Sequence, residues 1–416
     1  MKKTLPVFKK IWFLAVIGLL IRLMLMPITF HPDIWAISFS QHLFAYKGVL
    51  NIYDYLGNFP KSSSMILNYG RNFFTYPPLA YFTLGIFGIV LKPFFNTDFV
   101  NNLAGNLLNI LNDSRLYWHL FLTKFPYLFF DFGILFFLIK LFDDDRKKKM
   151  ITLLWIFNPL SLYTTYMIGQ FDIIPVFFTI LSLYLVKIKK PGWGAFALGI
   201  GGAFKMFPLF FLPFLVVTES KNFWNSIKLF AVGLLPFLVT ILPFLSSIAF
   251  RQTVLFSNQS QKMIFAKIPV SGAEYLSIFV VFYVFFLGIA FLRKADLWKC
   301  FMVIMLLFFG VTHYHPQWFL WLSPFLLIYL VTYPRFRFFP VILFFCWFLI
   351  MIFFEPSLSV SLFAPICHSL NKVKPLSDFL SKYYDVFQFK SMVRSIFAGT
   401  SSFLIFRLFT QKNNEA

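Results

Sequence analysis

Three carboxylates stand where an apolar chain has little reason to carry charge. Asp33 directly follows a first apolar run (Pro27-Ile28-Thr29-Phe30-His31-Pro32-Asp33), Asp131 lies inside another that opens at Lys124, and Asp172 ends a third as Gly169-Gln170-Phe171-Asp172. The chain has only 16 Asp and Glu among its 416 residues. A carboxylate in or beside a bilayer is costly unless it faces a wet cavity or a partner, so each of the three is a candidate for function. Threading the chain through a bilayer puts Asp33 and Asp172 at one face. That points to an enzyme site at lipid level.

The elements that must hold these acids are apolar helices. A 59% hydrophobic composition leaves room for about a dozen spans of roughly 20 residues each. Apolar runs near 11–28, 117–142, 150–168, 172–187, 192–204, 206–217, 226–246, 275–292, 298–312, 318–331, 338–354 and 391–409 supply them. The pattern predicts an all-α, polytopic transmembrane helix bundle of about twelve spans. Runs 192–204 and 206–217 are short and read as a tight hairpin with Lys205 at its tip.

The formal charge of +21 does not form a basic domain, which excludes nucleic acid as a partner. It is dealt out in short clusters between apolar runs: Arg146 to Lys149, Lys187 with Lys189 and Lys190, Arg293 with Lys294, and Arg335 with Arg337. All of these fall inside, and the turns at 168–172 and 313–317 outside without Lys or Arg, if 77–94 lies on or dips into the outer face instead of crossing. The organisation that follows is a cytoplasmic N-terminus and first span (1–28), then an outer catalytic loop with juxtamembrane helices (29–116). A transmembrane core (117–354) precedes an outer loop and last span (355–416). Asp33, Asp172, Lys205, His313 and His315 then share the outer face. The N-terminal apolar run continues to Pro27 with no small-residue cleavage site, so it reads as an uncleaved span. Cys300, Cys346 and Cys367 lack CxxC spacing and read as packing residues. No retention signal closes the chain, and a prokaryotic plasma membrane is the expected location.

The order of motifs resembles the GT-C glycosyltransferases. It comprises a first span ending in an acid, a long outer loop with Tyr76-Pro77-Pro78-Leu79, and Asn158-Pro159 before Gly169-Gln170-Phe171-Asp172. Gly199 to Pro208 around Lys205, and His315-Pro316-Gln317 leading into Phe319 to Pro324, complete it. Within that superfamily the chain is most similar to polyprenol-phosphate-mannose-dependent mannosyltransferases, with dolichol-phosphate-glucose transferases as cousins. The resemblance implies transfer of one hexose, mannose favoured, from a polyprenyl-phosphate-sugar donor with inversion. The acceptor would be a glycan, glycolipid or protein on the extracytoplasmic face, and membrane lipids would surround the site. The chain departs from the pattern in one respect, because Asp33 stands alone between Pro32 and Ile34 where the family often carries paired acids.

That chemistry assigns roles. Inverting transfer needs one base beside the acceptor hydroxyl, and Asp33 is the first choice; its other reading is a cap for a helix starting at Ile34. The leaving lipid phosphate needs cations or donors. Lys205 suits that role unless it merely snorkels, and Arg71, His313 and His315 are further phosphate candidates. Gln170, Asp172 and Tyr76 are candidates for substrate binding, and Asp172 could instead orient Lys205 or cap the helix at Ile173. A divalent cation, Mg or Mn, would fall to Asp33 and Asp172. Zinc at His313-x-His315 lacks a third ligand. Asp131, seven residues after Lys124 and so on the same helical face, reads as one half of a buried structural pair.

The alternative class is a polytopic transporter of a lipid-linked or small sugar. Transporters bind at the bilayer midplane between internal repeats, whereas these polar residues gather at one face beneath a long loop.

Overall fold

The structure, a computed structural model, describes residues 5–60, 62, 70, 73–104 and 110–410. Arg71 lies outside the described residues. The apolar runs fold as helices because lipid offers no partner for backbone polar groups, which a helix satisfies within itself. Among the described residues the only sheet is a small exposed hairpin, β1 (Lys267–Pro269) with β2 (Tyr275–Ser277), antiparallel with Ile268 opposite Leu276.

The main helices are α1 (Leu5–Ile28), α2 (Pro32–Lys47), α3 (Pro78–Leu91), α4 (Leu116–Lys124), α5 (Tyr127–Lys140), α6 (Asp145–Ile156), α7 (Ile173–Lys187) and α8 (Pro191–Phe204). They continue as α9 (Leu212–Glu219), α10 (Phe223–Ile241), α11 (Ile278–Arg293), α12 (Leu297–Val311), α13 (Ser323–Thr332), α14 (Phe338–Ile352) and α15 (Val386–Thr410). Four stretches are long and apolar enough to cross a membrane: Leu116–Lys140, Asp145–Ile168, Phe223–Phe244 and Val386–Thr410. A fifth is added if α1 and α2, bent by 82° at their junction, count as one span. Seven further apolar helices have only 10–17 residues. At 1.5 Å per residue these fall short of the ~30 Å hydrocarbon core. Prolines explain part of the shortening, since each removes a backbone donor: Pro208 is the second residue of one 3₁₀ turn and Pro316 begins another.

Burial sorts the helices into layers. From Lys299 to Phe309 every residue of α12 is buried, and so is α13 from Ser323 to Val331, the mark of helices enclosed on all sides. By contrast α10 exposes Phe230, Leu235, Leu238 and Val239, and α11 exposes Val280, Val281, Val284 and Phe285. Those surfaces suit lipid. α7 packs on α8, α8 on α10, and α12 on α15. α3 lies along α2, where Gly85 leaves room for the Phe44 ring; a Cβ there would sit 2.3 Å from it.

Two buried polar contacts fix the first bend. Asp131 and Lys124 do not pair with each other. The Asp131 carboxylate accepts from Arg22 Nε (2.6 Å), Tyr166 OH (2.7 Å) and Trp155 Nε1 (2.8 Å), tying α1, α5, α6 and the following turn together. Lys124 Nζ instead donates to the carbonyls of Met26 (2.9 Å) and Thr29 (2.6 Å) at the end of α1. A lysine there satisfies orphan helix carbonyls, and it sets the turn from which Asp33 emerges.

Candidate active site

Asp33 is the second residue of α2, not its cap. His31 is the cap, in the extended conformation (φ −132°, ψ 147°) favoured before proline. Its Nδ1 accepts the Asp33 N–H at 3.1 Å. Burial pushes the His31 imidazole toward its neutral form, the form able to accept at Nδ1. The Asp33 carboxylate is therefore free of capping work. It is about one-third exposed and lines a cavity of about 650 Å3 with Tyr76, Lys205, His315, Gln317, Trp318, Trp321 and Glu355.

The wall behind Asp33 is set by one turn. A π-helical stretch, Leu162–Ile168, ends at Gly169 with φ +83°, a conformation that suits glycine. A Cβ there would also lie 2.6 Å from Ile34. The turn aims Gln170 Nε2 at Asp33 Oδ2 (2.5 Å) and at Tyr76 OH (3.3 Å). Gln317 Nε2 approaches the same carboxylate oxygen at 3.4 Å.

Lys205 follows α8 in extended conformation, and its Nζ lies 2.6 Å from Asp172 Oδ2. The ammonium also sits 4.9 Å from the Tyr76 ring centre, 5.1 Å from Phe171 and 5.9 Å from Trp321, within cation–π range. The second oxygen of Asp172 accepts from Trp321 Nε1 at 2.5 Å. Asp172 makes no capping bond to the helix it precedes; its part is to hold Lys205. Trp321 stacks between Phe207 (4.3 Å) and Trp318 (5.1 Å), giving the cavity one flat aromatic wall.

The residues singled out in the sequence thus divide. Asp33, Tyr76, Lys205 and His315 line the cavity, and Gln170 and Asp172 lie directly behind Asp33 and Lys205. His313 is turned to a neighbouring crevice beside Arg394. Burial, reinforced by Lys262, lowers His315 to about 4, so it meets a ligand as a neutral imidazole. No group of three or more His, Cys, Asp or Glu suited to a metal occurs among the described residues. Asp172 engages Lys205 through one carboxylate oxygen and Trp321 through the other.

In the sequence, Gln317 and Trp321 appear only as members of the His315 to Pro324 motif, with no role assigned, and Glu355 is not singled out. Glu355 carries the signal that marked Asp33, an acid directly after an apolar run.

Residues 74–313 match the family model described as glycosyltransferase family 87, more than half of the chain. The chain belongs to glycosyltransferase family 87. A comparison with curated proteins yields no match. The matched stretch holds Tyr76, Gln170, Asp172, Lys205 and His313; it begins after Asp33 and stops two residues before His315. As a glycosyltransferase the protein transfers a sugar from a donor to an acceptor, and its apolar helices make it an integral membrane enzyme. Membership in a transferase family sets aside the transporter reading. In the transferase, the cavity presents the parts such a reaction uses: a partly solvated carboxylate, an amide donor fixing it, a buried cation and an aromatic wall.

Proposed function

We propose that the transferase moves a hexose, mannose favoured, from a polyprenyl-phosphate-sugar donor to an acceptor hydroxyl at the extracytoplasmic face, with inversion. The single observation that carries the reading is Asp33: one carboxylate oxygen is held by Gln170 at 2.5 Å while the side chain faces the cavity. In the reaction Asp33 takes the proton of the acceptor hydroxyl as that oxygen attacks the anomeric carbon. The bond from that carbon to the phosphate oxygen breaks, and polyprenyl phosphate leaves with the electron pair. Inversion follows from one in-line displacement.

The remaining groups have supporting parts. Lys205 and His315 offer N–H donors to the donor phosphate. Gln170 orients the base, Tyr76 binds a sugar hydroxyl, and the Trp318–Trp321 wall packs against a sugar face. Arg71 and His313 are phosphate donors of the outer loops. The setting we propose is a GT-C-type bundle in a prokaryotic plasma membrane. In it the shorter apolar helices complete about twelve crossings.

The test is transfer from radiolabelled polyprenyl-phosphate-mannose by the purified protein and its Asp33→Asn variant, with membrane lipids as acceptors. Label moved by the wild type and not by the variant is the expected result. Equal turnover by the variant would remove Asp33 as the base. Transfer from the glucose donor alone would change the sugar, and no transfer from either would overturn the polyprenyl-phosphate donor.

A further inference from the structure

Lys262 and Lys390 approach the cavity rim, and Arg394 lines the adjoining crevice, from two separate elements, the helical turn Lys262–Ile264 and the first half of α15. Lys262 Nζ lies 5.0 Å from the Trp318 ring centre and Lys390 Nζ 5.8 Å from that of Phe354; both rings line the cavity. Arg394 Nη2 is 3.3 Å from His313 Nδ1, and its guanidinium covers the Tyr314 ring at 5.2 Å. None of these three cations joins an ion pair among the described residues, although Arg22, Lys187, Lys205 and Lys299 each do. Thr312 Oγ1 and Tyr314 OH are buried without a hydrogen-bond partner among the described residues. They line a crevice of about 230 Å3 with His313 and Arg394.

Partly buried like charges and unsatisfied hydroxyls are unfavourable together unless an anion joins them. Burial, and then Arg394, lowers the Lys262 ammonium below the ordinary lysine range. Lys390 and Arg394 lie four residues apart on α15, about one helical turn and so on the same face. His315 feels Lys262, Asp33, His313 and Lys205 together, so the rim cations and the base act on one region. The phosphate that leaves there needs counter-charge. Lys205, neutralised by Asp172, brings little net charge to meet it.

We propose that Lys262, Lys390 and Arg394, aided by His313 and the hydroxyls of Thr312 and Tyr314, hold the phosphate of the lipid-linked donor. The assignment rests on the polyprenyl-phosphate reading above. It makes the rim the seat of net positive charge, and it gives the departing phosphate monoester, which gains negative charge as the glycosidic bond breaks, a counter-charge outside the Lys205–Asp172 pair.

The experiment is direct binding of farnesyl phosphate to the full chain in phosphatidylcholine nanodiscs, beside farnesol, inorganic phosphate and phosphatidylglycerol. Lys262→Gln and Arg394→Gln should each weaken farnesyl phosphate about ten-fold or more, as loss of one member of a buried charge contact does. Lys390→Arg should retain binding. Lys267→Gln, which removes one charge at an exposed lysine on β1, should bind like the wild type. Wild-type binding left unchanged by Lys262→Gln and Arg394→Gln overturns the rim assignment alone. Absence of wild-type binding overturns the lipid-phosphate donor and the rim with it. Equal displacement by phosphatidylglycerol would make the rim a site for bilayer phospholipid, and equal binding of farnesol would show that the prenyl chain alone is recognised; either overturns the donor assignment.

Discussion

Lys205 Nζ and Asp172 Oδ2 lie 2.6 Å apart on the inner wall of the cavity, with side chains 9% and 0% exposed. Each removes the cost of burying the other, and Trp321 occupies the remaining carboxylate oxygen. The pair therefore arrives at the reaction already neutral. Lys205 keeps N–H donors for a ligand but contributes little long-range field.

Breaking this pair one residue at a time should be costly. Lys205→Met leaves an unpaired buried carboxylate, and Asp172→Leu an unpaired ammonium; each should destabilise by about 3–5 kcal/mol. The double variant Lys205→Met/Asp172→Leu should recover most of that stability in a thermal melt while staying inactive. A double variant as unstable as the singles would show that packing, not charge, dominates there.

Gln170 is the donor that fixes the base. Gln170→Ala frees Asp33 Oδ2 from its 2.5 Å contact and should lower turnover on the order of a hundred-fold, the scale of a misplaced reacting group. Donor binding should stay within about two-fold, since the change acts on orientation. A raised KM with unchanged kcat would instead place Gln170 on the substrate.

Trp321→Phe keeps the stack with Phe207 and Trp318 but removes the donor to Asp172 Oδ1. The orphaned buried oxygen should cost about 1–3 kcal/mol, visible as a lower melting temperature. No change in melting would mean that another donor or water replaces the indole.

Arg22 and Asp131 are far from the chemistry. Arg22→Met should destabilise by about 3–5 kcal/mol, because Asp131 would keep only Tyr166 and Trp155. Activity per folded molecule should hold. Loss of specific activity in well-folded protein would overturn the purely structural role.

What the sequence revealed and what it hid follow from how each feature is encoded. Apolar runs and proline breaks are local, so the helices near 117–142, 226–246 and 391–409 have counterparts within several residues of their observed ends. Charges beside apolar runs are local too, which is why the sequence marks Asp33, Asp172 and Lys205. Partner identity is not local. Asp131 finds Arg22 across 109 positions, not Lys124 seven away. Trp321 bonds Asp172 from 149 positions off, and nothing in its own neighbourhood marks it among so many aromatics. The rim cations come from segments more than a hundred residues apart, and each alone is an ordinary loop or helix-end charge.

The paired histidines give the protein a pH response with a definite sign. His313 and His315 are lowered from the usual 6.5 to about 4, first by burial and then by Arg394 at His313 and by Lys262 at His315, with Lys205 adding at His315 and Asp33 opposing there. Both are therefore neutral in the native state at neutral pH. As pH falls through 6.5 the unfolded chain takes up protons that the native state refuses until about 4. The unfolded state binds more protons across that window, so stability must fall as pH falls. Melting temperature in detergent should decline from pH 7 to pH 5, and His313→Gln/His315→Gln should flatten the slope. A phosphate at the rim brings the opposite charge and raises both imidazoles toward their ordinary value. Saturating farnesyl phosphate should therefore flatten the slope in the wild type and leave the double variant unaffected. A slope indifferent to both the histidine substitutions and the ligand would refute the assignment of this acid response to the outer turn.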